Sequence, residues 1–187
     1  MKRTKQLSIW IIAFWMAIAA GTAMAQGVNM NRYITLTVKS GQDIKLRFQA
    51  AAANTPVRVV SGSKSTDVTV GSSWNQTQTF KSDGTTMTVY GDIIGFGCME
   101  NGSWLTALDF AHNIQLEGLY CHKNQLTALN VSRCTQLKTL YCYKNQLTSL
   151  DVNGCTQLKT LHCYENQLTA LNVSGCTQLK TLYCNKN

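Results

Sequence analysis

The sequence lacks the residue patterns that are typical of common catalytic sites. It contains no Ser/His/Asp arrangement, no carboxylate pair and no glycine-rich phosphate loop. Only three of its 187 residues are histidine, and His122 and His162 are the only candidate bases on the surface described below. The chain is therefore predicted not to be an enzyme and to need no cofactor.

The chain also lacks a cluster of basic residues. Its 17 lysines and arginines outnumber its nine acidic residues and give a formal net charge of +8, but they are scattered along the sequence. A nucleic-acid site needs a basic patch or stripe to neutralise phosphates, so no nucleic-acid partner is predicted. A weak preference for anionic surfaces is the most that this charge supports.

After residue 25 the chain lacks any apolar run long enough to span a bilayer, which takes about 20 residues. Before it, a basic start at residues 2–5 precedes an apolar run at 7–20, and Ala-Met-Ala follows at 23–25. This layout predicts a signal peptide over 1–25, cleaved after Ala25, in preference to a membrane anchor. Cleavage removes three basic residues, lowers the net charge to +5 and leaves an exported chain with no transmembrane segment.

From residue 105 onward the sequence repeats itself every 21 residues. Residues 126–146 and 147–167 differ at six of 21 positions, 105–125 form a more divergent copy, and 168–187 form a copy one residue short. The copies share the spacing L-x-x-L-x-C-x-x-N-x-L in one phase. A fixed period of about 20–29 residues with this spacing is the leucine-rich-repeat signature.

The repeat pattern predicts stacked coils, because one coil cannot bury its own apolar edge. Residues 139–141 are predicted to form a short strand that adds to a parallel sheet at about 4.8 Å per coil. Twenty-one residues leave too little chain for an α-helix on the back of each coil, so extended or 3₁₀ segments are expected around 150–152. The repeated asparagines are predicted to form a buried ladder, made of Asn124, Asn145, Asn166 and Asn187.

One further coil of the same spacing precedes the repeats. Ile93-x-x-Phe96-x-Cys98-x-x-Asn101 matches residues 137–145, and a small insertion at 102–104 follows it. The predicted solenoid over 93–187 therefore consists of a capping coil at 93–104 and repeats at 105–125, 126–146, 147–167 and 168–187.

Residues 26–92 carry the period-two pattern of β-strands. The strands at 34–38 and 44–48, with a Ser40-Gly41 turn between them, are predicted to form a hairpin. A turn at Asp83-Gly84 joins the last two predicted strands. The region is predicted to form a small antiparallel sheet or sandwich over the apolar end of the solenoid. Further strands are predicted at 57–60, 68–70, 77–80 and 87–90. The fold class is thus mainly β: a leucine-rich-repeat solenoid with an antiparallel β cap domain at its amino terminus.

Eight cysteines are explained by the same repeat. Each is predicted to act as a small buried apolar group. A metal site is disfavoured because no C-x-x-C occurs and His122 and His162 project to the opposite face. Stacked disulfides are the other alternative, although parallel Cβ vectors give them poor geometry. The inward strand position holds Cys98, Cys121, Cys142, Cys163 and Cys184, and a second position holds Cys134, Cys155 and Cys176, with Asn113 in the first repeat.

Side chains beside the inward strand residues are predicted to line the exposed concave side. Regularly spaced aromatic rings are good contact groups, because they offer large area at low entropic cost. The alternative is that the rings stack on one another and only shield the sheet. A further column, Lys138, Lys159 and Lys180, is interpreted as a solvated rim. The predicted ligand-binding residues are Tyr120, His122, Thr139, Tyr141, Tyr143, Thr160, His162, Tyr164, Thr181, Tyr183 and Asn185.

The strings L-x-x-L-Y/H-C-x-x-N-Q-L-T-x-L-D/N-V at 137–152 and 158–173 resemble internalin-type leucine-rich repeats, most closely those in surface proteins of Bacteroidetes. The resemblance covers residues 93–187, and the strand-rich region before them is similar to the leader of such repeats. It implies a curved right-handed solenoid used for adhesion or host-cell contact, without enzyme activity. It also implies an exported protein at the outer membrane or cell surface, or outside the cell.

One feature departs from that family. Internalin-type proteins continue into a sorting or anchoring domain, whereas this chain stops within a repeat at Asn187. A fragment or truncated reading frame is therefore expected, and the location becomes periplasmic if the sorting domain is missing. The last coil is expected to expose an apolar end, made of Leu171, Val173, Leu179 and Leu182.

The leading functional hypothesis is a non-enzymatic module that binds a host or bacterial surface protein on the concave side. One alternative is a carbohydrate-binding module whose tyrosine and histidine columns stack on sugar rings. Another is a structural spacer within a larger surface protein.

Overall fold

The computed structural model describes residues 27–187, so the predicted signal peptide at 1–25 lies outside the described residues. Within this range the chain is all β, with 14 strands and no helix. Consequently, the described part contains no helix able to cross a bilayer. The amino-terminal strands are β1 (Tyr33–Val38), β2 (Asp43–Ala50), β3 (Thr55–Ser61), β4 (Lys64–Val70), β5 (Gln78–Lys81) and β6 (Thr86–Gly91). The others are β7 (Ile93–Gly97), β8 (Leu105–Asp109), β9 (Gly118–Tyr120), β10 (Ala128–Asn130), β11 (Thr139–Tyr141), β12 (Ser149–Asp151), β13 (Thr160–His162) and β14 (Thr181–Tyr183).

The amino-terminal strands form the predicted sandwich, but the predicted hairpin between β1 and β2 is wrong. β1 pairs with β6 and β8 in a five-stranded sheet, whereas β2 pairs with β5 and β7 in a second sheet. The chain crosses the core at residues 39–42 because the apolar side of each strand is buried against the other sheet. The Asp83-Gly84 turn likewise joins strands of different sheets, β5 and β6. The core between them contains Ile34, Leu36, Val38, Ile44, Leu46 and Phe48.

The solenoid strands stack in parallel, as the repeat predicts. β7, β9, β11, β13 and β14 follow one another in one register. That register aligns Phe96, Leu119, Leu140, Leu161 and Leu182. The predicted capping coil therefore contributes its strand to the solenoid sheet. β2 pairs antiparallel with β7, so the sandwich and the β-solenoid share one seven-stranded sheet, and the solenoid continues from the core of the sandwich.

The back of the coils is extended, one of the two conformations expected. β10 and β12 pair in parallel, with Leu129 opposite Leu150, and no residue from 27 to 187 is 3₁₀-helical. The corresponding segment of the first repeat, β8, instead pairs antiparallel with β1 and completes the five-stranded sheet. The first repeat is therefore joined to the sandwich through β8 and to the capping coil through β9.

The predicted asparagine ladder forms at all four positions, but only Asn124 and Asn145 are buried, whereas Asn166 is half-buried and Asn187 is exposed. The Nδ2 of Asn145 donates to the carbonyls of Cys121 and Cys142 at 3.0 and 2.9 Å, and its Oδ1 accepts from the Leu126 amide at 3.1 Å. At the first rung, Asn101 donates to the Lys45 carbonyl and accepts from the Lys45 amide. The ladder thus connects each coil to the one before it, and the capping coil to β2.

The last coil is packed on one side only. Leu182 is 38% exposed, in agreement with the expected apolar end. Leu171, Val173 and Leu179 are half-buried and pack against the core, so their predicted exposure is only partial. The preceding coil covers one side of these three residues.

Candidate functional site

The outward positions of the solenoid strands carry the predicted site. In β11, Leu140 is buried between half-exposed Thr139 and Tyr141, because successive side chains of a strand point to opposite sides. Cys142 is buried again and Tyr143 is half-exposed. In-register parallel pairing places equivalent residues side by side on successive coils. All eleven predicted residues therefore share the outer side of the seven-stranded sheet.

The first column of rings is continuous along four coils. Tyr120 and Tyr141 have ring centroids 5.0 Å apart at 54°, Tyr141 and His162 lie 4.3 Å apart at 7°, and His162 and Tyr183 lie 4.5 Å apart at 53°. Tyr183 is 54% exposed, and the other three rings are half-buried. Thr139, Thr160 and Thr181 form the adjacent row, each half-exposed.

The second column contains the most regular stack. His122 and Tyr143 lie 4.4 Å apart at 11°, and Tyr143 and Tyr164 lie 4.5 Å apart at 8°. Asn185 occupies the next position and is exposed. Tyr141 and Tyr143 lie 6.4 Å apart, so the two columns adjoin. We call Tyr120, His122, Tyr141, Tyr143, His162, Tyr164 and Tyr183 the aromatic face.

The rings stack on one another, as the alternative interpretation of the columns expects, but they remain half-exposed. Near-parallel rings about 4.5 Å apart cover each other's faces, so the middle ring of the second column, Tyr143, presents its edge and hydroxyl outward. A sugar ring stacks on an open aromatic face. The geometry therefore suits edge and hydroxyl contacts better than sugar stacking.

The two histidines of the face carry lowered pKa values. Burial, and secondarily the charge of Lys123, lowers the pKa of His122 to about 4, and its Nδ1 is buried without a hydrogen-bond partner among residues 27–187. Burial also lowers the pKa of His162. At neutral pH both rings are uncharged, so they extend the tyrosine columns as neutral aromatic groups.

Sequence reasoning missed Trp74, which extends the first column by one ring. It lies in the loop between β4 and β5, with its ring centroid 4.9 Å from that of Tyr120. A Cβ built on Gly95 would lie 2.8 Å from the Trp74 ring, and one on Gly118 would lie 3.4 Å from it. The later coils have threonine at the position of Gly118. Glycine in place of this repeated threonine was the sequence signal that another side chain lies over position 118.

Charged side chains border the aromatic face on both sides. On one side, Lys138 pairs with Glu117 at 2.7 Å, while Lys159 and Lys180 are exposed. On the other side, Lys123 pairs with Glu100 at 2.6 Å. Exposed pairs of this kind contribute about 0–1 kcal/mol each. The borders are therefore solvated rims, as predicted for the lysine column, and basic residues predominate in them.

The cysteines lie behind the aromatic face as free thiols. Seven of the eight are buried, as predicted, whereas Cys184 is exposed because no further coil of the described chain covers it. Burial raises the pKa of Cys163 to about 11 and, with the neighbouring cysteines, that of Cys155 to about 12. Among residues 27–187, no three His, Cys, Asp or Glu side chains are grouped to hold a metal ion.

Two shallow depressions lie away from the aromatic face, one of about 130 Å³ beside Phe110 and Arg133, and one of about 80 Å³ beside Phe80 and Met87. Pockets that enclose small molecules measure about 300–1,000 Å³. The extended aromatic face is therefore the stronger candidate for a functional site.

No family model and no curated protein matches the chain. Among solved structures, the chain is similar to the functional domain of InlJ from Listeria monocytogenes, which includes a cysteine ladder. The two share 38% sequence identity with a TM-score of 0.48, and the match covers 50% of this chain and 20% of that chain. The matching half of this chain thus spans about a fifth of the length of that solved chain.

Proposed function

We propose that the chain is a non-enzymatic adhesion module, exported to the cell surface or beyond it, and that its aromatic face binds a surface protein of a host or another bacterium. The observation that carries this proposal is the pair of continuous ring columns, with successive centroids 4.3–5.0 Å apart on half-exposed side chains. Among residues 27–187, no comparable arrangement of chemical groups supports catalysis.

The physical basis is preorganisation. Each ring is held by its neighbours and by strands that share one register, so little conformational entropy remains to be lost on binding. Tyrosine contributes area, a polar tip and only two rotatable side-chain bonds, which is why it is common among the residues that dominate binding energy. A protein surface offers both the apolar groups that pack against ring edges and the carbonyls that accept from tyrosine hydroxyls.

A carbohydrate partner remains the second candidate. The tilted pair at Tyr120 and Tyr141, 54° apart, leaves more ring face open than the near-parallel pairs do. A structural spacer is the third candidate. A spacer does not need half-exposed aromatic rings, so their presence disfavours it.

The test compares the full chain with its Tyr141→Ala/Tyr143→Ala variant. Both are immobilised, exposed to biotin-labelled surface proteins of candidate cells and, in parallel, applied to a glycan array. Tyr90→Ala is the matched control, since Tyr90 is a half-buried tyrosine of the five-stranded sheet. Circular dichroism verifies that all variants fold.

We expect the double variant to retain at least about tenfold less of the bound proteins, because loss of two central aromatic contacts costs about 2 kcal/mol or more. Tyr90→Ala should retain them normally. Equal retention by the double variant would contradict the proposal. Glycan binding that needs Tyr141 and Tyr143 would favour the carbohydrate alternative, and no retention of either class would favour the spacer.

A further inference from the structure

The capping coil lacks side chains where the other coils have them. β7 has glycine at both outward positions, Gly95 and Gly97, and β9 has Gly118 next to Gly95. The Trp74 ring lies over Gly95 and Gly118, while Met99 and Arg47 lie over Gly97, with their nearest atoms 3.1 and 3.2 Å from where a Cβ would be. Trp74 and Arg47 of the sandwich, with Met99 of the capping coil itself, therefore cover these glycines at one end of the aromatic face.

The loop that carries Trp74 is held firmly to β2. Asn75 donates from its backbone amide to the Phe48 carbonyl at 3.1 Å and accepts at Oδ1 from the Phe48 amide at 2.7 Å. The Ala50 amide donates to the Gly71 carbonyl at 2.9 Å. The loop is thus fixed on both sides of Trp74, so the ring is a built part of the surface.

Arg47 is a cation without a counter-ion at this end of the face. Its guanidinium carbon lies 5.7 Å from the Trp74 ring centroid, and its Nε donates to the Asn75 carbonyl at 3.0 Å. Neither Nη group has a hydrogen-bond partner, and no carboxylate pairs with Arg47, among residues 27–187. Arg47 is half-buried, so its charge is less well hydrated than that of a lysine on the rims.

The charge of Arg47 also affects the pKa of Tyr120, the first ring of the first column. Burial and the neighbouring Tyr141 raise the pKa of Tyr120, and the charge of Arg47 acts in the opposite direction. Arg47, Trp74 and Tyr120 therefore form one cluster, which we call the Arg47 corner.

We propose that the Arg47 corner is an anchoring subsite for a carboxylate, supplied by an aspartate or glutamate of an extended, acidic segment of the partner protein. A guanidinium held beside an indole, with its Nε on the Asn75 carbonyl, keeps its two Nη groups free, and these form a fork that matches both oxygens of a carboxylate. The basic rims continue the same complementarity along the face, because Lys159 and Lys180 are exposed and have no acidic partner in the described part of the chain. This inference rests on the proposed function and specifies the chemistry of its partner.

The test uses the full chain labelled with 5-fluorotryptophan and followed by fluorine-19 NMR. Loss of one signal in Trp74→Phe assigns the Trp74 resonance, and Trp104, which is exposed outside the corner, serves as an internal reference. The probes are 12-residue peptides in which aspartate or glutamate alternates with valine, threonine or tyrosine. Matched peptides carry asparagine or glutamine instead.

We expect acidic peptides to shift the Trp74 resonance and to bind about tenfold more tightly than their amide counterparts, the effect of a charge-assisted contact. Arg47→Ala should remove that preference. Arg58→Ala should keep it, since Arg58 lies on β3 and pairs with Asp67 at 2.6 Å.

Equal affinity for acidic and amide peptides, an unmoved Trp74 resonance, or a preference that survives Arg47→Ala would each overturn the inference. A shift of Trp74 by hyaluronan but not by the acidic peptides would overturn the assignment of a protein partner. The proposed function is judged separately. If the Tyr141→Ala/Tyr143→Ala variant still fails to retain surface proteins while the corner tests fail, the binding role of the aromatic face is supported and that of the Arg47 corner is not.

Discussion

The side-chain amide of Asn145 donates a 3.0 Å hydrogen bond to the carbonyl oxygen of Cys121, one coil earlier in the solenoid. The same amide donates to Cys142 in its own coil, and the asparagine oxygen accepts from the Leu126 amide. One buried side chain thus satisfies groups on two successive coils. The repeat of this arrangement explains how the turns after the strands are held without helices.

Replacement of Asn145 by alanine is expected to destabilise the chain by about 2–3 kcal/mol. The carbonyls of Cys121 and Cys142 each keep a second asparagine partner, but the buried Leu126 amide loses its acceptor. Urea unfolding should show the loss. Asn187→Ala, at an exposed rung, is the matched control and should cost less than 1 kcal/mol; equal losses in the two variants would contradict the ladder as a buried support.

Gly95→Thr is expected to displace Trp74 and to cost about 1–3 kcal/mol, because the new Cβ would lie 2.8 Å from the indole. Gly118→Thr introduces the residue of the later coils at a distance of 3.4 Å, which is ordinary contact after a small adjustment. It should cost less than Gly95→Thr, because its Cβ fits and only its γ atoms would press against the ring. The fluorine-19 resonance of Trp74 and urea unfolding measure both effects, and an unmoved resonance in Gly95→Thr would show that the ring does not lie on that glycine.

His122 is expected to titrate near pH 4, because burial lowers its pKa from the ordinary value of 6.5 to about 4. Between pH 4 and pH 6.5 the histidine is protonated in the unfolded chain but not in the folded chain. The contribution of the neutral His122 to stability is therefore present above pH 6.5 and is lost as the pH falls towards 4. His122→Tyr introduces the residue found in the next two repeats and should remove that part of the pH dependence.

The measurement for His122 is the urea midpoint of both proteins at several values between pH 4 and 7, with the imidazole followed by NMR. Carboxylates other than Glu100, whose pKa the charge of His122 lowers, titrate in the same way in both proteins, so the difference between the proteins reports the histidine together with its coupling to Glu100. A midpoint near 6.5 for His122, or equal pH slopes in the two proteins, would refute a buried imidazole.

Thiol labelling is expected to show one fast-reacting cysteine and seven slow-reacting ones. Cys184 is exposed, whereas the other seven are buried, and burial raises the pKa of thiols such as Cys134, to about 11. Because the thiolate is the reactive form, a disulfide reagent at pH 8 should modify one thiol rapidly and the rest only on unfolding. Cys184→Ala should abolish the fast phase, and rapid reaction of several thiols would mean that the coils open readily.

Much of the solenoid was predictable because its signal is repeated. Leucine, cysteine and asparagine recur in one phase over residues 126–187, and equivalent positions coincide only if the coils stack in register. The inward and outward residues, the capping strand at Ile93–Gly97 and the ladder of Asn145 were all predicted on that ground. The aromatic columns followed from the same register, as the outward neighbours of buried positions.

The sandwich was predicted only in part. The period-two patterns of β1 and β2 identify the buried side of each strand. They do not identify which strand each one pairs with, because that depends on packing between segments far apart in the chain. The two strands therefore lie in different sheets, although a tight turn joins them. Likewise, the segment of β8 repeats like that of β10 in sequence, yet it pairs with β1, because a sandwich strand and not the back segment of the capping coil lies beside it.

The sequence by itself determined which residues are buried along the repeats and which form the columns, because a 21-residue period allows one stacking register and each buried position repeats in it. Only the tertiary structure decided that the rings stack with their edges outward, that β1 and β2 lie in different sheets, and that Trp74 and Arg47 lie over the glycines of the capping coil. These features depend on contacts between segments far apart in the chain, whose distances and orientations no local pattern encodes.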